Sequence, residues 1–206
     1  MEIEYLGGGT IALTTKKATF IVDPVRSDTN LKPALKPGAI YLATQPNQVP
    51  EGVEGLVIDG PGEYEVSEVA IVGVGARNML ASDTVKQNTV YKLVTSESSI
   101  CIVGNIDGPL DEHQLEELGL SDIAIIPVGG GGFTLDAKDA AQVVKQLEVK
   151  AIIPVHYHEP GVKYEVPQDD LDLFITEVGG HKEEISKLKL KNWQTPATIT
   201  VYVLTK

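Results

Sequence analysis

The stretch that decides the fold spans residues 122–158 and reads DIAIIPVGGGGFTLDAKDAAQVVKQLEVKAIIPVHYH. Residues 122–128 form an apolar run rich in Ile and Val that is too short for a helix, which predicts a buried strand. Apolar residues then recur every three or four positions over 137–147, as on one face of a helix. Residues 150–155 form a second apolar strand. A strand, a helix and a strand this close together predict a right-handed parallel crossover.

A glycine loop separates the first strand from the helix. Its four glycines are Gly129, Gly130, Gly131 and Gly132. Thr134 is predicted as the helix N-cap, and Asp136 in the first turn suits the positive end of the helix dipole. Such a loop at a helix N-terminus can bind phosphate or another anion, so the four glycines and Thr134 are candidate ligand-binding residues. A tight turn required by the fold is the alternative, because the Gly-Lys-Ser/Thr ending of a nucleotide-binding loop is missing.

Two histidines, His156 and His158, follow the second strand of this unit. In parallel α/β units, functional sites lie beyond the carboxyl ends of the strands. Residues two apart in an extended chain share a face, so both imidazoles are predicted on one side. The pair is therefore a candidate for general acid and base catalysis or for weak metal binding. The alternative for His156 is a hydrogen-bonded histidine at a strand end.

The composition fits one folded domain over residues 1–206, with 42% hydrophobic and 22% charged residues. The protein is acidic, with a net charge of -12. Nucleic acids and anionic membranes need a basic surface, so neither is expected as a partner. The single cysteine, Cys101, excludes an intrachain disulfide framework. No signal peptide or membrane span is recognised, and a cytoplasmic protein is expected.

The remainder of the chain is rich in predicted hairpins and ends in helix and strand. Strand pairs are predicted at 10–15 with 18–22, 63–66 with 69–74, and 89–95 with 99–103. Helices are predicted at 111–118 and 167–178, and a closing strand at 199–204. This order predicts an α/β fold with two sheets and outer helices, a four-layer α/β/β/α sandwich.

Several short motifs follow one another in a characteristic order. They are Tyr5-Leu6-Gly7, Phe20-Ile21-Val22-Asp23-Pro24, Asp59-Gly60-Pro61-Gly62-Glu63, Ile126-Pro127-Val128-Gly129-Gly130 and Ile153-Pro154-Val155-His156-Tyr157. In order and spacing they resemble the metallo-β-lactamase superfamily, in the branch of small metal-dependent hydrolases similar to ascorbate-6-phosphate lactonases. The resemblance covers nearly the whole chain. It implies the four-layer sandwich and a hydrolytic site that holds two metal ions.

The metal ligands that the resemblance implies are mostly replaced in this sequence. The family carries a His-x-His-x-Asp-His cluster after the strand at 40–43, where this chain has Gln45, Asn47, Val49 and Pro50.

Other ligand positions are replaced as well. A further family histidine falls near 77–79, where this chain has Arg77-Asn78-Met79. Asn105 stands in place of a bridging aspartate, and Gly8 replaces another histidine. His156 alone keeps its ligand type. Amide oxygens are poor ligands for zinc, so no metal or other cofactor is expected.

Three functions remain open at this point. The main hypothesis is a metallo-β-lactamase-fold protein that has lost most metal ligands and serves in binding or assembly, with a small anionic molecule, a protein partner or a homo-oligomer. The first alternative is a divergent hydrolase of lactones or phosphorylated small molecules. It would use His156 and His158, with Asn47, Asn78 and Asn105 as weak support and zinc or manganese as cofactor. The second alternative is a phosphate- or nucleotide-binding module built on the loop at 129–132.

Overall fold

The computed structural model describes residues 1–24, 29–46, 48, 52–78 and 88–206. A six-stranded sheet contains β1 (Glu2–Gly7), β2 (Thr10–Thr14), β3 (Thr19–Val22), β4 (Ile40–Leu42), β5 (Leu56–Ile58) and β13 (Leu188–Lys189). The strand order is β13-β1-β2-β3-β4-β5. The pairs from β13 to β3 are antiparallel, and β3, β4 and β5 are parallel.

An eight-stranded sheet faces the first one. Its strands are β6 (Gly62–Val66), β7 (Val69–Ala76), β8 (Asn88–Val94), β9 (Ser99–Ile102), β10 (Ile123–Pro127), β11 (Ala151–Val155), β12 (His181–Ile185) and β14 (Thr200–Leu204). Their order is β12-β14-β11-β10-β9-β8-β7-β6. The hairpins of β6 to β9 are antiparallel, whereas β9, β10, β11, β14 and β12 run parallel. The three predicted hairpins are confirmed.

The main core lies between the sheets, where buried residues of one sheet, such as Leu13 and Phe20, join buried residues of the other, such as Leu93 and Ile125. A second core lies under three helices, α1 (Glu112–Leu118), α2 (Ala137–Gln146) and α3 (Leu171–Val178). These helices cover the outer face of the eight-stranded sheet. The predicted α/β sandwich is confirmed. On the outer face of the other sheet, Tyr41 packs against Ala34 and Val53, which lie outside the described helices.

The crossover of β10, α2 and β11 forms as predicted, with β10 and β11 parallel along their whole length. The predicted N-cap at Thr134 is wrong. Asp136 caps α2, and its carboxylate accepts a 2.8 Å hydrogen bond from the Asp139 amide. Thr134 is fully buried in the preceding turn, so the helix starts two residues later than predicted. Aspartate caps a helix as well as threonine does, which explains why the pattern alone misplaced the start.

The other helices begin near their predicted positions or later. Asp111 caps α1 through a capping box with Gln114, and Gly119 ends the helix. The helix predicted at 167–178 starts four residues later, at Leu171, because the Asp169 amide donates to Gly129 O at 2.7 Å and holds the segment before α3 extended. No helix in the described part of the chain is long and apolar enough to span a membrane.

Candidate functional site

A cleft of about 370 Å³ opens between the sheets at the carboxyl ends of their parallel strands. Its floor is apolar and is formed by Val22 of β3, Ile102 of β9, Ile125 of β10 and Val155 of β11. Each of these side chains is at most 4% exposed. The cleft thus occupies the edge of the sandwich at which the sequence predicts a site.

His156 forms one wall of the cleft, and its backbone is fixed by unusual geometry. It has a φ of 53°, in the left-handed region, and its amide donates a 2.7 Å hydrogen bond to Gly8 O. This bond joins the end of β11 to the turn between β1 and β2. The bend after β11 therefore directs the imidazole back toward the cleft.

The tautomer of His156 follows from its contact with Gln168. His156 Nδ1 lies 2.9 Å from Gln168 Oε1, while Gln168 Nε2 donates to Val166 O at 3.0 Å. An amide oxygen only accepts hydrogen bonds, so Nδ1 carries the proton. In the neutral ring, Nε2 then keeps its lone pair and can only accept.

Two aromatic rings cover the imidazole. Phe133 stacks on it with ring centroids 5.7 Å apart, and Tyr164 lies 4.9 Å away at a tilt of 52°. Burial lowers the pKa of His156, and the bond with Gln168 only partly opposes this effect. The imidazole is therefore neutral at pH 7 and presents an acceptor, not a charge.

Asp23 faces the same cleft from the end of β3. Its carboxylate accepts a 2.8 Å bond from the Thr44 amide and a 2.6 Å bond from Thr44 Oγ1. Its carbonyl accepts a 2.6 Å bond from Thr10 Oγ1. Burial raises the pKa of Asp23 to about 6, against the opposing effect of the Thr44 bonds. In the sequence, Asp23 belongs to one of the short motifs but has no predicted role. The feature that could have marked it as a site residue is its position at a strand end before a proline.

Glu159 joins the outer wall of the cleft to the rest of the fold. Its carboxylate accepts hydrogen bonds from the Tyr5 hydroxyl, the Gly8 amide at 2.9 Å and the Tyr164 hydroxyl at 3.1 Å, and pairs with Lys206 Nζ at 2.7 Å. Burial alone would raise the pKa of Glu159, but the bonds from Lys206, Tyr5 and Gly8 outweigh it and lower the pKa. This network holds Tyr164 against His156, and the sequence pattern gave no sign of it.

The structure does not bring His158 into the cleft beside His156. The prediction that the two imidazoles share a face assumed an extended chain, and it is wrong because His156 takes a positive φ and the chain bends. His158 is exposed, and its amide donates to Asp169 O at 2.9 Å. Within the described residues, His156 is the imidazole that lines the cleft.

The glycine loop is packed against the segment that carries Gln168. A Cβ atom at Gly129 would overlap Gln168 Oε1 and His156 O, and one at Gly131 would overlap Pro167 O. The glycines thus allow the close approach that places Gln168 beneath His156. Phe133, not the four glycines or the buried Thr134, lines the cleft. Anion binding by this loop stays a prediction.

The three asparagines predicted as ligand-binding residues do not all lie in the cleft. Asn105 lines the cleft, is 7% exposed, and accepts a 2.6 Å bond on its backbone oxygen from Asn88 Nδ2. Asn78 follows β7 outside the cleft lining. Asn47 lies outside the described residues, as do Val49 and Pro50. Binding by these amides stays a prediction.

The donor set of the cleft does not fit the pair of metal ions that the fold family implies. Across the residues that the structure describes, no three His, Cys, Asp or Glu side chains are placed to hold a metal ion. The chain has four histidines, and the segments outside the described ranges contain neither His nor Cys. His113 lies exposed on α1 and His181 exposed on β12, so one imidazole remains for the cleft. Zinc sites of hydrolytic enzymes draw on several imidazole or thiolate ligands.

Comparison with known proteins identifies the family. The sequence profile of the Beta-lactamase superfamily domain matches residues 2–156. This chain therefore belongs to the metallo-β-lactamase superfamily, as its motifs predicted.

Named relatives and solved structures agree with this assignment. A UPF0173 metal-dependent hydrolase of Bacillus velezensis is 26% identical over 219 residues, covering 87% of this chain and 93% of that protein. Another from Hyperthermus butylicus is 30% identical over 120 residues; the match covers 58% of this chain and spans 51% of the relative's length. The chain also resembles the crystal structure of a candidate zinc-dependent hydrolase of the metallo-β-lactamase superfamily from Thermotoga maritima. That match has a TM-score of 0.79 and 26% identity, and covers 98% of this chain and 97% of the other.

Proposed function

We propose that this chain binds a small molecule in the cleft between its sheets, and that binding does not use a pair of metal ions. The observation that carries the proposal is the combination of an apolar floor with one oriented, neutral imidazole. The volume of about 370 Å³ falls within the range of about 300 to 1,000 Å³ common for small-molecule sites. Mostly apolar walls with a few convergent polar groups are also typical of such sites.

Two measurements test this proposal together. Metal content is measured by mass spectrometry on protein without a His-tag, after zinc, manganese or iron has been added and dialysed away. We expect less than one equivalent of each metal to remain. In parallel, NMR titration with small alcohols, carboxylates and phosphate esters should shift the signals of Phe133 and Tyr164, which line the cleft. One or two retained equivalents that disappear in His156→Ala would contradict the metal-free part, and a cleft that no compound perturbs would contradict binding.

A second candidate function is hydrolysis with His156 as general base. The names of the relatives and the free acceptor atom of a neutral imidazole favour it. In this scheme a water molecule attacks a lactone or ester carbonyl while His156 Nε2 takes its proton. The bond between the carbonyl carbon and the alcohol oxygen then breaks, and the protonated His156 returns the proton to the departing oxygen, which yields a carboxylic acid and an alcohol.

The test is turnover of γ-butyrolactone, p-nitrophenyl acetate and p-nitrophenyl phosphate. Loss of a general base lowers the rate by about 10² to 10⁴, so His156→Gln should lower kcat to that extent. His113→Gln, at an exposed site on α1, is the matched control. Equal rates for both variants would exclude His156 as the base.

We also propose three further properties that the sequence predicts for this protein. They are a cytoplasmic location, a protein partner and assembly into a homo-oligomer. Light scattering coupled to size-exclusion chromatography measures the oligomeric state directly. A concentration-independent monomer mass would remove the assembly hypothesis and leave the cleft as the functional feature.

A further inference from the structure

The lining of the cleft restricts the class of molecule that fits, and this inference rests on the small-molecule binding proposed above. We propose that the cleft takes an uncharged molecule with an apolar body and one hydroxyl or N–H group, which donates a hydrogen bond to His156 Nε2.

The floor selects the apolar body. Val22, Ile102, Ile125 and Val155 come from four different strands and present only hydrocarbon to the cleft. A charged group placed on this floor would lose its hydration without gaining a partner, which is strongly unfavourable. An apolar group placed there leaves water at no such cost.

The wall selects the hydrogen-bond donor. Phe133 and Tyr164 cover the imidazole of His156, and Nδ1 is bonded to Gln168. Nε2 is the remaining polar atom of the ring, and no described residue donates to it. Because an unprotonated ring nitrogen only accepts, the molecule that satisfies it must bring an O–H or N–H group.

The charges around the cleft disfavour an anion. Among the described residues that line the cleft, Asp23 lies at one wall, and Lys163 and Glu165 stand exposed at the mouth, so two acidic side chains face one basic side chain. Both oxygens of Asp23 already accept hydrogen bonds from Thr44. The sequence predicts a small anionic ligand on the basis of the glycine loop at 129–132. Because that loop does not line the cleft, the ligand proposed for the cleft is uncharged and not anionic.

Four phenyl compounds of similar size separate the chemical classes. Benzyl alcohol has the donor, benzyl methyl ether lacks it, benzoate is an anion, and benzylamine is a cation. Each is titrated into the full chain while the NMR signals of Phe133 and Tyr164 are followed. We expect benzyl alcohol to bind most tightly and the ether about fivefold to tenfold more weakly, as for the loss of one neutral hydrogen bond. Benzoate and inorganic phosphate should bind more weakly still.

Two variants locate the donor. His156→Leu should bind the alcohol and the ether equally, whereas His113→Leu on the exposed face of α1 should keep the difference. Tighter binding of benzoate, phosphate or benzylamine than of the alcohol would overturn the ligand class but leave the cleft as a binding site. If no compound shifts the two aromatic residues, the small-molecule function itself is wrong. The ratio between alcohol and ether in the unaltered chain tests the donor even if His156→Leu fails to fold.

Discussion

Two titratable side chains face the cleft from opposite sheets, and the protein treats them differently. Asp23 directly follows β3 and His156 directly follows β11, and both have a left-handed backbone, with φ of 42° and 53°. Both oxygens of the Asp23 carboxylate are bonded to Thr44, so its hydrogen bonds tie β3 to the end of β4. The imidazole of His156 uses one nitrogen for Gln168 and keeps the other for the cleft.

The comparison shows that two residues with the same position after a strand can serve different purposes: Asp23 stabilises the fold, and His156 presents a polar atom to the cleft. Burial disfavours the charged form of each group, so the pKa of Asp23 rises and that of His156 falls. For Asp23 this is a cost of packing that the Thr44 bonds reduce. For His156 it produces a neutral acceptor in an apolar cleft. Substitutions at Asp23 should therefore change mainly the free energy of unfolding, and substitutions at His156 mainly ligand binding.

The largest effect on stability is expected from Gly129→Ala, which disrupts the packing that supports His156. The new Cβ would overlap Gln168 Oε1 and the backbone oxygen of His156, and the backbone oxygen cannot move away freely. We expect a loss of about 3 kcal/mol in the free energy of unfolding, at the upper end for overpacking. Urea unfolding followed by circular dichroism measures it.

Gly60→Ala is the control for this prediction, because a Cβ at Gly60 meets nothing within 4 Å. Its free energy of unfolding should stay within about 0.5 kcal/mol of the parent. Equal losses in the two variants would show that the close packing of the glycine loop against Gln168 does not determine the free energy of unfolding.

The next effect concerns the Asp23 side and depends on pH. Its pKa is about 6 in the folded chain against 3.8 ordinarily, so the folded state binds this proton more tightly. The free energy of unfolding should therefore fall as pH rises from about 4 to about 6, by at most about 3 kcal/mol. Asp23→Asn keeps an acceptor for the Thr44 amide and removes the charge, so this fall should disappear. Urea unfolding at pH 4 and pH 7 provides the comparison.

Asp59→Asn, at an exposed position, controls for the loss of one negative charge. A parent and an Asp23→Asn variant that lose stability in parallel between pH 4 and pH 7 would show that Asp23 is not the group responsible.

The sequence predicted the elements better than the site, for a physical reason. Short apolar runs of Ile and Val must be buried, so β10 and β11 follow from local pattern. The N-cap of α2 was misplaced because Thr134 and Asp136 are both good caps, and tertiary packing chose between them.

The site depends on contacts that local pattern does not contain. Gln168 reaches His156 across twelve residues, and Glu159 reaches Tyr5 across 154. The left-handed φ of His156 is unusual for a residue other than glycine, so an extended pair with His158 was the natural but wrong expectation. The position of His156 at the end of a parallel strand was predictable, whereas its tautomer and its supporting residues were not.

The smallest effect on stability, and the sharpest on the site, is expected at Gln168. Its hydrogen bond raises the pKa of His156 against the larger effect of burial. Gln168→Leu removes that bond, so the pKa of His156 should fall further, with a loss of about 1 kcal/mol in the free energy of unfolding. Gln168→Glu places a carboxylate at Nδ1 and should raise the pKa instead. Because a lowered histidine pKa favours the neutral form, the contribution of His156 to stability is full above pH 6.5 and is lost as pH falls below it.

NMR titration of the imidazole in Gln168→Leu and Gln168→Glu measures the two opposite changes in the pKa of His156. Identical titration curves in the parent and in Gln168→Leu would mean that this amide does not set the tautomer, and the acceptor at Nε2 would lose its structural basis.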